Sequence, residues 1–419
     1  MDWSLLFLCV ANGLVNVVYA LMGPFYPSVA SAKGVSPLMV GAVFSLMPAA
    51  AFVVSPFLGE YLDRLTRKGG LVLGLLLQAV AMGLVAWAAD FEAAVFVGVS
   101  LMSRLFSGVS MALVETSCFA LAASAYPERV ERSMSLFEAS AGAGMMLGPV
   151  ISAQVYDYVG FAGIFYGMSL IFLAFVPGVA LVYEPARMDI EQETEVSVLA
   201  MLMIREVVLD TLAVAYVILC VGVMEAYVSE HLLSLGLSIP AVGLAFAAGP
   251  LCYTVCCYIY SRKLKSLNMT RVFQAGLLTG SLAALLFGPP YPLPESVASV
   301  IVGMTIVGLA SASTFVPALP HMLQAVVALG FSMDDKMNDV LSSLTSGAFS
   351  LGELLGPLIG GLLLTCMDFR NMVTVIGGAG IVLFFAYTLL YRSHSTYLPE
   401  DLQDSINFYK RIHTSLFAY

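Results

Sequence analysis

The sequence has little charge and lacks catalytic motifs, and both absences restrict the class of protein. Only 11% of the residues are charged, against about 25% in a typical soluble domain. The 4 histidines form neither an HExxH motif nor a close pair in sequence. A phosphate-binding loop and a nucleophile elbow are also missing. We therefore expect neither an enzyme nor a protein with a metal or another cofactor.

Cysteines and basic residues are scarce as well. The 7 cysteines lie in or beside apolar runs, which is typical of core packing and not of a disulfide framework. Lys and Arg number 18 against 28 Asp and Glu, and the net charge is -10. Because the basic residues form no patch, we expect no nucleic-acid partner.

Long apolar runs fill most of the chain, which is 60% hydrophobic. Runs of about 20 residues predict transmembrane helices, whereas a membrane barrel would show alternating strands of about 10. We expect an all-α membrane protein with twelve transmembrane helices in two six-helix bundles. The predicted spans are 4–30, 38–59, 70–89, 93–124, 134–157, 161–183, 206–234, 239–260, 271–288, 296–328, 339–366 and 371–392.

The polar stretches divide this array into domains. We expect an N-terminal bundle at 1–183, a cytosolic linker at 184–204, a C-terminal bundle at 205–392 and a cytosolic tail at 393–419. Lys and Arg concentrate in alternate loops, so the positive-inside rule predicts that both termini are cytosolic. Prolines in two spans predict local breaks, which are tolerated at membrane depth where they line a cavity. They are Pro24 and Pro27 in span one, and Pro317 and Pro320 in span ten.

A glycine-rich helix with a proline occurs once in each half. The first copy, EASAGAGMMLGP, begins at Glu138, and the second, LGELLGPLIGG, contains Glu353. Glycines at four-residue spacing let a neighbouring backbone approach closely. We expect these faces to let the two halves slide against each other. The predicted packing residues are Gly144, Gly148, Pro149, Gly352, Gly356 and Pro357.

Several ionisable side chains lie within the apolar runs, where a charge is costly unless it is paired or faces water. We expect them to bind a substrate cation and protons, with Arg104 as the coupling partner because its guanidinium keeps its charge. Alternatively, each acid has only a structural role and makes one hydrogen bond between helices. The corresponding alternative for Arg104 is that it forms a structural ion pair with a carboxylate. The candidate residues are Glu225, Glu138, Glu353, Glu115 and Arg104.

The loop after span two reads GEYLDRLTRK and combines a glycine, two acids and three bases. An acid at this position can hold a neighbouring helix terminus in one conformation and release it in another. We therefore expect a conformational latch, although an ordinary positive-inside loop is the alternative. The latch residues are Gly59, Asp63, Arg64, Arg67 and Lys68.

These motifs, with Arg104 in span four, resemble the major facilitator superfamily. Four further stretches resemble the vesicular amine transporter family, nearest its polyamine branch: MGPFYPSVASAKGVS, SLFEASAGAGMMLGP, LLFGPPYPLPES and STFVPALPHML. The resemblance places Glu138 and Glu225 on acidic positions of the family, although Ala226 replaces the usual proline. The acids of monoamine carriers in spans one, ten and eleven have no match, and span one offers Asn12 and Asn16 instead.

The resemblance implies a secondary transporter that exchanges an organic cation or polyamine for protons by alternating access. It also implies a monomer in the lipid of a vesicle or another endomembrane. Two alternatives remain open at this point. A facilitator or symporter of a neutral or anionic solute would need a cationic site, for which only Arg104 is available. A non-transporting receptor on the same fold would need neither the membrane acids nor the latch.

Overall fold

The computed structural model describes residues 3–125, 130–182, 201–263, 267–328 and 335–391, and the regular elements within them are all helical. The all-α prediction is confirmed. The helices are α1 (Trp3–Leu21), α2 (Tyr26–Ala32), α3 (Pro37–Leu65), α4 (Arg67–Ala88), α5 (Ala93–Ala125), α6 (Val130–Phe175), α7 (Arg205–Val223), α8 (Ser229–Ser234), α9 (Ile239–Phe246), α10 (Ala248–Lys263), α11 (Met269–Phe287), α12 (Val297–Phe315), α13 (Ala318–Ala328), α14 (Asp335–Leu364) and α15 (Phe369–Leu390).

Eleven stretches of the described residues are long and apolar enough to cross a membrane, so the chain is a multi-pass membrane protein. One of them, Ala139–Leu181, has 43 residues. At 1.5 Å per residue it would be about 65 Å long, roughly twice the thickness of the hydrocarbon core. The helix breaks at Gly160, where φ is 69° and ψ is -179°. If this stretch crosses the membrane twice, the total becomes the expected twelve transmembrane helices. That number stays a prediction.

The proline positions in spans one and ten coincide with breaks, as predicted. Helix α1 ends at Leu21 and α2 begins at Tyr26, with a proline in its first turn. Helix α12 ends at Phe315 and α13 begins at Ala318. Proline has no N–H and cannot continue the hydrogen-bond ladder of a preceding helix, so these breaks are a direct consequence of the sequence.

Span seven contains a break that the sequence did not predict. Helix α7 is followed by a π-helical segment, Met224–Val228, and then by α8. A π turn is wider than an α turn, and such turns are rare and frequent at functional sites. This segment carries Glu225 and therefore determines where that side chain points.

The described residues divide into two compact units. Unit one comprises the described parts of Met1–Asp189, Glu225–Ala247 and Pro357–Cys366, and within it α1 packs on α6 and α4 on α5. Unit two comprises the described parts of Ile190–Met224, Ala248–Gly356 and Met367–Tyr419. Within unit two, α11 packs on α12 and α15. The predicted domain boundaries stay a prediction.

Candidate functional site

Glu225 lies at the start of the π segment and meets two helices of unit one. Its carboxyl group is hydrogen-bonded to Tyr19 of α1 and interacts electrostatically with Arg104 of α5. The Glu225 side chain is partly exposed, whereas those of Tyr19 and Arg104 are buried. We name Tyr19, Arg104 and Glu225 the Glu225 site. The structure thus brings together two of the predicted residues and adds Tyr19, which the sequence analysis did not select.

Arg104 is 2% exposed and is surrounded mainly by apolar and aromatic groups. Its Nη1 lies 3.2 Å from the sulfur of Met47, and its guanidinium carbon lies 5.5 Å from the centre of the Phe44 ring. Among the described residues, Nε of Arg104 has no hydrogen-bond partner. A buried guanidinium keeps its charge, and it interacts electrostatically with the hydroxyl groups of Tyr26 and Tyr19 and with the carboxyl group of Glu225.

Glu115 belongs to a second polar group, which joins α1 and α5. Asn16 donates from Nδ2 to the backbone carbonyl of Asn12 at 3.0 Å and to Oε1 of Glu115 at 3.4 Å. Glu115 follows Arg104 by eleven residues, which is about 16 Å along an α-helix. The structure therefore joins Glu115 to Asn16, and its proposed part in substrate binding stays a prediction.

Two predicted acids are not placed in the Glu225 site. The side chain of Glu138 lies outside the described part of the structure, although its backbone belongs to α6. Glu353 is partly buried on the portion of α14 that belongs to unit two. Their roles in binding a cation or a proton stay predictions.

The predicted latch is described only in part. Gly59 lies on α3, and so does the backbone of Asp63 and Arg64, whose side chains lie outside the described part of the structure. Arg67 donates from Nη1 to the carbonyl of Ala120, at 3.3 Å, near the end of α5. The structure therefore describes one contact between the predicted latch and a neighbouring helix, and it is made by the basic residue Arg67. The latch function, including that of the partly buried Lys68, stays a prediction.

The glycine face of span five packs on α1 in the same half of the chain. A Cβ atom on Gly148 would lie 2.6 Å from the carbonyl oxygen of Val17, and one on Gly144 would overlap the carbonyl oxygen of Gly13. Pro149 lies inside α6, which continues through it. The expected close approach is present, but its partner is the first helix of the same bundle.

Exchanging Gly144 for alanine is expected to destabilise the protein by about 1–3 kcal/mol, since the overlap is with backbone that cannot rotate away. Gly142 on the same helix is the matched control, because a Cβ there would meet nothing within 4 Å. Gly142→Ala should be neutral or stabilising by up to about 1 kcal/mol through helix propensity. Thermal unfolding of the two purified variants checks this, and equal melting temperatures would contradict it.

The glycine face of span eleven makes the equivalent contact with α7. Cβ atoms on Gly352 and Gly356 would lie 2.5 Å from the carbonyl oxygens of Ala215 and Leu219. Gly352 and Gly356 therefore pack against a helix of their own half, whereas the carbonyl of Pro357 contacts α3 of the N-terminal half at Gly41. That these faces let the two halves slide stays a prediction. Glycine spacing indicates that a backbone comes close, but it carries no information about which backbone.

A second side chain of the π segment joins three elements of unit one. The Tyr227 hydroxyl lies 3.1 Å from the carbonyl oxygen of Pro37 on α3 and 2.6 Å from that of Pro357 on α14. A Cβ on Gly41 would overlap both the Pro357 carbonyl and the Tyr227 hydroxyl. We name Pro37, Gly41, Tyr227 and Pro357 the Tyr227 junction, which the sequence analysis missed. By the predicted topology it faces away from the cytosol.

The chain is similar to a known protein family and to known transporters. A model of the Major Facilitator Superfamily matches residues 8–333. The MFS-type transporter SLC18B1 of Mus musculus is 23% identical over 398 residues, which cover 91% of this chain and 86% of the mouse protein. The vesicular acetylcholine transporter of Homo sapiens is 29% identical over 123 residues, which cover 29% of this chain and 22% of the human protein.

Solved structures show the same fold. The crystal structure of the nucleoside transporter NupG matches with a TM-score of 0.76 and 13% identity, covering 94% of this chain and 100% of NupG. At this identity the similarity concerns the fold alone. Among the described residues, no group of three or more His, Cys, Asp or Glu side chains could hold a metal ion.

Proposed function

This chain belongs to the Major Facilitator Superfamily, and we propose that it exchanges an organic cation for protons by alternating access. The resemblance to vesicular amine transporters is confirmed by the relatives described above, and the family transports small molecules across membranes. The observation that carries the proposal is the Glu225 site: a partly exposed carboxylate at a helix break, bonded to Tyr19 and close to a buried arginine. A polyamine is the substrate we infer first.

The proposed exchange follows from competition at one carboxyl group. Glu225 cannot hold a proton and an ammonium group at the same time, so binding of one cation expels the other. Tyr19 orients the carboxyl group through its hydrogen bond. The fixed charge of Arg104 weakens the binding of either cation, which keeps both release steps possible. A transporter site needs this balance, since a ligand bound too tightly does not leave.

The buried charge of Arg104 favours a second candidate function, the transport of a neutral or anionic solute. The relative exposure of the two residues argues against it. Arg104 is 2% exposed and interacts electrostatically with Glu225, which is the less buried residue of the two. An anion would have to displace Glu225 from a buried partner, whereas a cation would meet the acid first.

Uptake into proteoliposomes tests the function. We expect radiolabelled spermidine to accumulate when the vesicle interior is acidic, and a protonophore to abolish that accumulation. Choline and a neutral nucleoside serve as parallel substrates. Uptake of the nucleoside but of neither cation, by protein shown to be folded and inserted, would contradict the proposal. Uptake of choline without spermidine would retain cation exchange and replace only the polyamine.

The proposed cellular setting follows from the direction of this exchange. An organic cation is accumulated by proton exchange only in an acidic compartment, so we infer a vesicle or another endomembrane. The distribution of basic residues supports cytosolic termini. We infer that a monomer suffices, because the Glu225 site is formed within one chain.

A further inference from the structure

A buried acid–histidine pair lies in unit two. Nδ1 of His321, on α13, lies 3.0 Å from Oδ2 of Asp210, on α7. The Tyr387 hydroxyl, on α15, donates to Oδ1 of Asp210 at 2.7 Å. Asp210 and Tyr387 are 0% exposed and His321 is 2% exposed. Three helices thus contribute to one polar group that is screened from solvent.

The other ring nitrogen of His321 also has a partner. Its Nε2 lies 3.0 Å from the hydroxyl of Thr270, the second residue of α11. The imidazole stacks on Phe273, with ring centres 5.0 Å apart, and on Tyr391, with ring centres 4.9 Å apart. Both nitrogens and both faces of the ring are therefore engaged, which fixes its position.

Other titratable groups lie near this pair. From α7, Glu206 is close enough to interact electrostatically with Tyr391, and its carboxylate pairs with Arg205 at 3.1 Å. On the α15 side, the hydroxyls of Tyr387 and Tyr391 interact electrostatically with Asp210. An apolar cluster that includes α7, α13 and α14 lies beside it, formed by Met201, Val207, Met269, Leu319, Met322, Leu323, Val326, Met337, Leu341 and Leu344.

We propose that the Asp210–His321 pair is a second proton-binding site of the transporter, which exchanges its proton with the cytosolic side. The inference rests on the proposed proton-coupled function and extends it from one proton site to two. Its position supports the cytosolic assignment: Asp210 and Thr270 lie near the starts of their helices, and Tyr387 lies near the end of α15. By the predicted topology, all three of these helix ends face the cytosol.

The hydrogen bonds explain how the pair accommodates either state. With a neutral ring, Nδ1–H donates to Asp210 and Nε2 accepts from the Thr270 hydroxyl. When Nε2 gains a proton it becomes a donor, and the Thr270 oxygen accepts after its hydroxyl rotates. No hydrogen bond of the ring is lost in either state. The proton converts a buried net charge of -1 on the pair into a neutral ion pair, so uptake and release need no large rearrangement of the site.

A purely structural pair would need the hydrogen bond but not the extra proton. The substitution His321→Asn therefore distinguishes a structural role from a proton-binding role. The amide nitrogen of asparagine occupies roughly the place of Nδ1 and can donate to Asp210, but an amide does not take up a proton. Spermidine accumulation is measured at a fixed pH gradient with the membrane potential held at zero. Loss of one coupled proton should lower the limiting accumulation ratio about tenfold per unit of pH difference.

Exchange of labelled external for unlabelled internal spermidine, without a gradient, is the companion measurement. It requires binding and conformational change but no proton release, so His321→Asn should exchange at the wild-type rate. Gradient-driven accumulation equal to that of the wild type would overturn the second proton site. This outcome differs from failure of the proposed function, in which the wild type itself shows no gradient-driven accumulation.

The protonation of His321 is also measurable without transport. In ¹⁵N-histidine-labelled wild-type protein, the His321 signals are identified by their loss in His321→Asn. We expect them to change reversibly between neutral and imidazolium positions when the pH is varied over the range used for the transport measurements. A ring that keeps one form over this range would overturn the proposal, even if the variant fails to exchange or the wild type does not transport.

Discussion

Replacing Glu225 by glutamine is expected to abolish gradient-driven cation uptake while leaving the protein folded. Glutamine has nearly the same shape and can still accept a hydrogen bond from Tyr19. It cannot carry the negative charge that attracts an ammonium group, and it cannot exchange a proton. Since hydrogen bonds to charged groups contribute about 1.5–3 kcal/mol, uptake should fall roughly 10- to 100-fold or more.

Glu230→Gln is the matched control for this change. Glu230 lies on α8, five residues after Glu225, and is exposed. It should transport like the wild type, because its carboxylate is outside the Glu225 site. Initial uptake rates with an inside-acid gradient, normalised to the amount of inserted protein, give the comparison. Full uptake by Glu225→Gln would remove Glu225 from the mechanism.

Gly41→Ala is expected to stop the transport cycle by excluding the packing seen at the Tyr227 junction. The added Cβ would overlap the Pro357 carbonyl and the Tyr227 hydroxyl, and the carbonyl belongs to a helix backbone that cannot turn aside. We expect uptake to fall roughly 5- to 100-fold, because overpacking of this kind costs about 1–3 kcal/mol in the state that it disfavours. The competing state, in which the junction is open, would then dominate.

The control for Gly41→Ala is Gly98→Ala on α5, where a Cβ would meet nothing within 4 Å. A cysteine at the buried Val40, in a Cys366→Ser background, reports on the junction. An impermeant maleimide should label it faster in Gly41→Ala than in Gly98→Ala. Equal labelling and equal uptake in the two variants would show that the junction does not open during transport.

Much of the fold follows from the sequence, because burial in lipid imposes simple rules. Apolar runs of membrane length identify the helices, and prolines identify the breaks near Pro27 and Pro317. The π segment escaped prediction because nothing in MEAYV distinguishes it from an ordinary helical turn. The boundary between the predicted spans 134–157 and 161–183 coincides with the break at Gly160, although the helical element Val130–Phe175 continues across it.

The site was predicted residue by residue but not as an arrangement. Charge inside an apolar run selected Glu225 and Arg104, since such charges are costly without a role. It could not select Tyr19, which resembles every other buried aromatic. Asp210 and His321 are 111 positions apart, and although His321 lies within STFVPALPHML, nothing in that stretch indicates Asp210 as its partner. Their pairing depends on how α7 and α13 meet, and one sequence contains no record of that contact.

The π segment has a consequence for how relatives of this chain diverge. A π turn accommodates one residue more than an α turn, so it is equivalent to a single-residue insertion in span seven. Deleting one residue between Met224 and Val228 would restore α geometry and rotate the following side chains by about 100°. The positions of the Glu225 carboxyl group and of the Tyr227 hydroxyl thus depend on the number of residues in this segment as well as on their identity. Specificity in this lineage can therefore diverge through a one-residue insertion or deletion, without any substitution at a contact position.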